Sequence, residues 1–276
     1  MSRLYPLAQQ VISDVENPLL AEQLTHAFRN SSADLDIIEK AFSLLTQSDF
    51  HKDSLCRFFH NWSLTNNSAA SLSGYCNRFT KKWLDEGCIN AEIYMNILRH
   101  LNRISDEDLG ATGGVIHFDL YYSMATPICK GDQWLSRHYM LKEGAQFKKW
   151  REFQLLKEKD LFMGILTTLI HEIYTHSEVE FILPLFQQWL PTISEMDQKA
   201  QSQCLAWIAV HTKGTERRHF NEALKAINYI AQLLDVDLKT YDMASWFANY
   251  LHQKATLMEA LSRDLASQQS VDLIEV

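Results

Sequence analysis

Turn-forming residues are scarce in this sequence: its 276 residues include nine glycines and five prolines. All-β and doubly wound folds need many tight turns, so the scarcity favours a helical chain. Cysteine is sparse too. Cys56, Cys76, Cys88, Cys129 and Cys204 are scattered, odd in number and form no CxxC pair. That is the pattern of reduced thiols, not of a disulfide framework. No uninterrupted apolar run reaches the ~18 residues of a membrane span. The N-terminus lacks the basic-then-apolar form of a signal peptide, so the expected location is cytoplasmic, with no membrane partner. Neither a GxxxxGK[ST] loop nor a GxGxxG occurs, and the glycine-rich stretch 110–114 follows no strand. Basic charge is in deficit as well. The net charge is −8, and the short clusters Lys81-Lys82, 148–151 and Arg217-Arg218 read as solvated helix faces, so no nucleic-acid partner is expected.

What the chain does have is helical periodicity. Apolar residues recur at helical spacing over 5–29, and again at Leu35, Ile38, Phe42 and Leu45. Further helices are predicted through Leu55, Phe58 and Trp62, over 71–84 with Gly87 as terminator, and from an Asn90 cap through Ile104. The segment 105–114 reads as the most loop-like inside the chain. Beyond it, helices are predicted over 115–126 (stopping near Pro127), 132–139 and 144–157. A long apolar helix over 161–182 is capped by Asp160 and ends before Pro184. Thr192 and Glu195 suggest a capping box for 193–210. Helices over 215–234 and 237–261 complete the set. Roughly ten helices and no strand predict an all-α protein built as a single multi-helix bundle. Residues 1–30 are expected as an N-terminal helical appendage, 31–262 as the helical domain and 263–276 as a frayed tail.

Several polar residues stand where core stripes should be apolar. With about 100° per residue, Ile165, Leu169, Glu172, His176 and Glu180 lie along one helix face. The row begins aliphatic and continues as two carboxylates and an imidazole. A buried carboxylate must be paired, protonated or bound to a metal. A hydrogen-bonded polar cluster and a metal site are therefore both open readings. In 206–230, Glu216 and His219 extend the buried side of Phe220, Ala223 and Ile227 backward by a turn. Their Glu-x-x-His spacing is the one carboxylate-bridged diiron bundles use. His211 lies two turns earlier, and Gly214 between them predicts a kink or bulge. His117 shares a face with Tyr121 and Met124. Glu86, Glu92 and His100 are weaker candidates. A mixed His and carboxylate set suits iron or manganese, with zinc a competitor. His171-Glu172 is followed by His176, one residue too far for HExxH.

These residues resemble the pattern of the haem-oxygenase-like superfamily, which includes the TenA thiaminases, the pyrroloquinoline-quinone synthase and the haem-oxygenase-like diiron oxidases. In its diiron branch an early helix carries an acidic or His ligand, a middle helix a Glu, and a late helix a His-x3-Asp/Glu-x2-His. Here the late segment reads His211-x4-Glu216-x2-His219, one residue longer. The middle helix offers Glu172, Glu178 and Glu180. The likeness spans about residues 85–235. It implies a haem-oxygenase-like helical domain with a non-haem iron site, expected to hold two ions, that activates O2 and acts on a small molecule. The metal ligands it implies are Glu172, His176, Glu180, Glu216 and His219, with His117 or His211 completing the set. Two alternatives stay open: a metal-free helical binding or interaction protein, and a TenA-like hydrolase using a Glu and a Cys. A homodimer is compatible with either.

Overall fold

The computed structural model describes residues 2–47, 50–87, 90–111, 114–193, 196–212 and 214–269. Among them are twelve α-helices and no strand: α1 (Leu4–Ile12), α2 (Pro18–Asn30), α3 (Ser32–Leu45), α4 (Lys52–Asn66), α5 (Ala69–Glu86), α6 (Ala91–Asp108), α7 (His117–Ile128), α8 (Lys142–Leu156), α9 (Leu161–Trp189), α10 (Gln198–His211), α11 (Thr215–Leu233) and α12 (Met243–Gln269).

Helix α9 is the axis of the bundle. Asp160 caps it by accepting from the amides of Phe162 and Met163 at 2.9 and 3.2 Å. Nearly every residue from Leu161 to Val179 is buried, so the helix is covered on all sides, as a helix apolar around its whole circumference must be. It packs against α1, α5, α8, α10, α11 and α12. Helix α11 packs on both α6 and α9, and α10 on both α7 and α9. These four contacts bring the His and Glu residues of separate segments together.

Several expectations change. Helices α1 and α2, which fall within the expected N-terminal appendage, pack into the bundle. Helix α1 lies against α9 and α2 against α12, with Leu4, Ala8, Val11 and Leu24 buried in the common core. The C-terminal helix runs on to Gln269 because Leu265 is still buried and Asp264 pairs with Arg57. Pro184 does not end α9, since burial of Phe186 and Trp189 carries the helix past the missing amide. Pro127 likewise lies inside α7. Residues 132–139 form two short 3-10 turns around buried Trp134 instead of one helix. Glu195 of the expected capping box lies outside the described residues. Helix α10 starts later, capped by Asp197, which accepts from the Ala200 amide at 2.8 Å.

Candidate metal centre

Helix α6 ends in Glu107-Asp108, and the chain turns back through Gly110, which holds φ +68°. The reversal sets His117, the first residue of α7, beside the end of α6, with its Nδ1 2.8 Å from Asp108 Oδ1. His211, the last residue of α10, packs its ring edge-on to His117 with centroids 4.4 Å apart. Asp108, His117 and His211 each offer a ligand atom within 4.8 Å of the others.

A second group of the same kind adjoins it. Glu172 projects from the middle of α9, and Glu216 and His219 from the first turns of α11, again with ligand atoms within 4.8 Å of one another. His219 Nδ1 lies 3.6 Å from Glu172 Oε2 and 3.9 Å from Glu216 Oε1. His211 Nε2 lies 3.8 Å from the same Glu216 oxygen, so the two groups form one continuous six-residue centre. The extra residue in His211-x4-Glu216 is absorbed by a break. The helix stops at His211, Gly214 takes φ +91°, and α11 restarts at Thr215. The kink expected at Gly214 is therefore a full interruption, and it turns three side chains toward one point that a continuous helix would splay.

The electrostatics favour a cation. Glu172, Glu216 and His219 are each at most 3% exposed. Burial pushes Glu172 and Glu216 above the usual carboxylate range; for Glu216 the neighbouring Glu172 and Asp108 charges add to the rise. Burial also drives His211 down to about 4, helped by His117, so its imidazole is neutral at pH 7. His211 Nδ1 must donate to the Trp207 carbonyl 2.6 Å away, since a carbonyl only accepts. Nε2 therefore carries the lone pair and faces Glu216. A lone-pair nitrogen opposite a buried carboxyl needs a proton or a metal between them. On His219, burial lowers the pKa, but hydrogen bonds to Glu107 and Glu172 outweigh it and hold the ring up at about 11. Without metal, that cation holds two carboxylates together. With metal, Nδ1 is the atom placed to ligate. Its Nε2–H donates to Glu107 Oε2 at 2.9 Å, and Glu107 also accepts from Arg218 at 3.1 Å. A carboxylate on the far nitrogen is the usual orienting partner of a ligating histidine.

Of the residues predicted from sequence, the structure gathers Glu172, Glu216, His219, His211 and His117. His176 and Glu180 belong to neither group. His176 is buried with its Nδ1 unpartnered, and Glu180 is half-buried further along α9. Glu178 is fully shielded and pairs with Lys254 at 3.0 Å instead. Glu86 pairs with Lys82 on the surface, Glu92 is exposed, and His100 pairs with Glu222 at 2.6 Å. Asp108 is the residue that periodicity missed. It terminates its helix, and only the glycine-rich reversal before His117 hinted that the two would meet.

A cavity of about 110 Å³ reaches the outer group, with Asp108, His117 and His211 in its wall. Tyr121, Trp207, Ile116 and Phe118 give it an apolar side, and Ser63, Asn66 and Asn67 a polar one. No Lys or Arg lines it among the described residues. The inner group lies behind, out of solvent.

The architecture places the chain in the all-α, haem-oxygenase-like fold class. Within that class it is similar to the crystal structure of a TenA homolog from Pseudomonas syringae pv. tomato str. DC3000, with a TM-score of 0.63 and 11% identity over 89% of this chain and 93% of that one. No protein-family model matches the sequence, and no curated protein matches it.

Proposed function

We propose that this protein is a non-haem dinuclear metal oxidase or oxygenase. One ion would be held by Asp108, His117 and His211, the other by Glu172, Glu216 and His219. The observation that carries the reading is the meeting of two mixed His and carboxylate groups across the 3.8 Å separation of His211 Nε2 and Glu216 Oε1, at the inner end of a cavity. Inward Glu and Glu-x-x-His ligands on facing helices are how helical bundles hold carboxylate-bridged iron pairs. Oxygen and imidazole donors suit iron first, with manganese or zinc as competitors.

Bound iron would supply dioxygen binding and reduction. The chain's own residues would do the rest. Glu107 orients His219, the Trp207 carbonyl fixes the tautomer of His211, and the core around α9 excludes water from the inner group. The cavity size and lining favour a small, partly apolar substrate, with polar groups turned toward Ser63, Asn66 and Asn67.

The test is metal content after anaerobic Fe(II) loading. Two ions per chain are expected, falling to one or none in Glu216→Ala and His219→Ala. A wild-type protein without stoichiometric iron, manganese or zinc overturns the reading.

A further inference from the structure

An aromatic path leads from the candidate metal centre into the core and reaches a tryptophan with a proton acceptor, beyond which its ring neighbours on the far side are phenylalanines. His211 and Trp207 have ring centroids 4.7 Å apart, and Trp207 and Trp62 5.3 Å apart. Trp62, on α4, is fully buried, and its Nε1–H donates to Glu178 Oε1 at 2.8 Å. The other oxygen of Glu178 accepts from the Tyr174 hydroxyl and faces Lys254 Nζ at 3.0 Å. Glu178 and Lys254 are both 0% exposed. Packing alone gives little reason for such a pair, since an apolar replacement is often neutral or stabilising.

Ring contacts this close let an electron pass. The obstacle is the charge left behind, because a cation in an apolar interior is costly. Trp62 meets this obstacle by having a carboxylate on its N–H, so its proton can leave with its electron. Tyr121 also touches Trp207 and Trp62, at 5.2 and 5.5 Å, but its hydroxyl donates to the Phe59 carbonyl, which cannot take a proton. After the transfer the unbalanced positive charge rests on Lys254 instead of the indole. Lys254 donates to Thr65 Oγ1 at 2.7 Å and lies over the Tyr174 ring at 4.9 Å, contacts that do not depend on the charge of Glu178.

We propose that Trp62 is a one-electron redox residue wired to the metal centre through Trp207 and His211. One electron passes from the Trp62 indole to the oxidant formed where dioxygen is reduced. The Nε1–H bond breaks, its proton moves to Glu178 Oε1, and a neutral indolyl radical is left beside a neutral carboxyl. An external thiol returns the electron, losing its own proton to solvent and becoming a thiyl radical, while the proton on Glu178 moves back to Nε1. The proposal rests on the dinuclear reading for its oxidant, whereas the proton-coupled oxidation of Trp62 stands on the core geometry.

Two measurements separate these parts. In metal-free protein, azide radicals generated by pulse radiolysis oxidise accessible tryptophan. The hole is expected to settle as a neutral tryptophanyl radical that is lost in Trp62→Phe and kept in Trp83→Phe, and to form more slowly in deuterium oxide. The same radical in Trp62→Phe, or a wild-type rate unchanged in deuterium oxide, overturns the proposal; the solvent measurement needs no variant to fold. In iron-loaded protein exposed to O2, freeze-quench EPR is expected to show that radical in wild type and to lose it in Trp207→Phe. Iron bound and O2 consumed with no radical removes the wiring and leaves the metal reading intact. If no metal binds but the hole still settles on Trp62, the metal reading and the wiring fail while the redox chemistry of Trp62 stands.

Discussion

Glu107 and Asp108 are neighbours in sequence, yet their carboxylates serve different histidines: Asp108 Oδ1 lies 2.8 Å from His117 Nδ1, and Glu107 Oε2 lies 2.9 Å from His219 Nε2. One helix end thus offers a carboxylate to the outer group and, if metal binds, an orienting partner to the inner one.

The two carboxylates should therefore differ in mutagenesis. Asp108→Ala removes a donor of the outer group and is expected to lose one metal ion per chain. Glu107→Gln keeps all six donors but weakens the hold on His219, with affinity at the inner site falling about 10–100-fold. Competitive chelator titration of both variants checks this. Equal losses in the two would show that they do not play different parts.

The metal-free protein should melt in a pH-dependent way. The hydrogen bond and charge of His219, with Arg218, hold Glu107 at about 2, below its ordinary 4.5. A depressed carboxyl stabilises the fold above 4.5, and that contribution drains away as pH falls toward 2. His219 is raised from 6.5 to about 11, so its contribution is complete below 6.5 and is lost as pH climbs toward 11. Thermal melts across the pH range should fall at both ends, with the acid limb flattened in Glu107→Gln. An unchanged acid limb in that variant would rule out the pair as its source.

Gly214 sits at φ +91° with open space around its α-carbon, so an added methyl group meets only backbone strain. Gly214→Ala should cost about 1–2 kcal/mol. Because this residue sets the break between His211 and Glu216, the variant should also bind metal more weakly. Calorimetric unfolding and metal titration read the two effects separately. Full metal affinity with lowered stability would confine Gly214 to a structural role.

Lys254→Met leaves the Glu178 carboxylate without its cation in the core. Unfolding free energy should drop by about 3–5 kcal/mol. Adding Glu178→Gln should restore part of it, as measured by denaturant melts of both variants. A double variant no more stable than Lys254→Met would mean that the pair is not coupled.

The helical bundle was legible because apolar stripes and scarce turn formers point the same way. The inner group was legible too, since Glu172, Glu216 and His219 interrupt stripes that are otherwise apolar. His176 and Glu180 share the row of Glu172, but a row of eight residues rises about 12 Å. Ligand atoms within 4.8 Å cannot all come from such a row; of these three Glu172 alone joins a group, and its co-donors come from α11. Asp108 escaped notice because helical spacing says nothing about a residue at a helix end that meets its partner across a chain reversal. The sequence also could not show that the extra residue before Glu216 would be taken up by a left-handed glycine.

The burial of α9 also bears on how the molecule opens. Its amides lie in the best-shielded part of the bundle, so their hydrogens should exchange only when the whole fold comes apart. The six donors come from α6, α7, α9, α10 and α11, and bound metal would tie those helices together. Occupancy should then be visible in deuterium uptake far from the ions, as slower exchange along the full length of α9, by an amount set by free metal concentration relative to Kd.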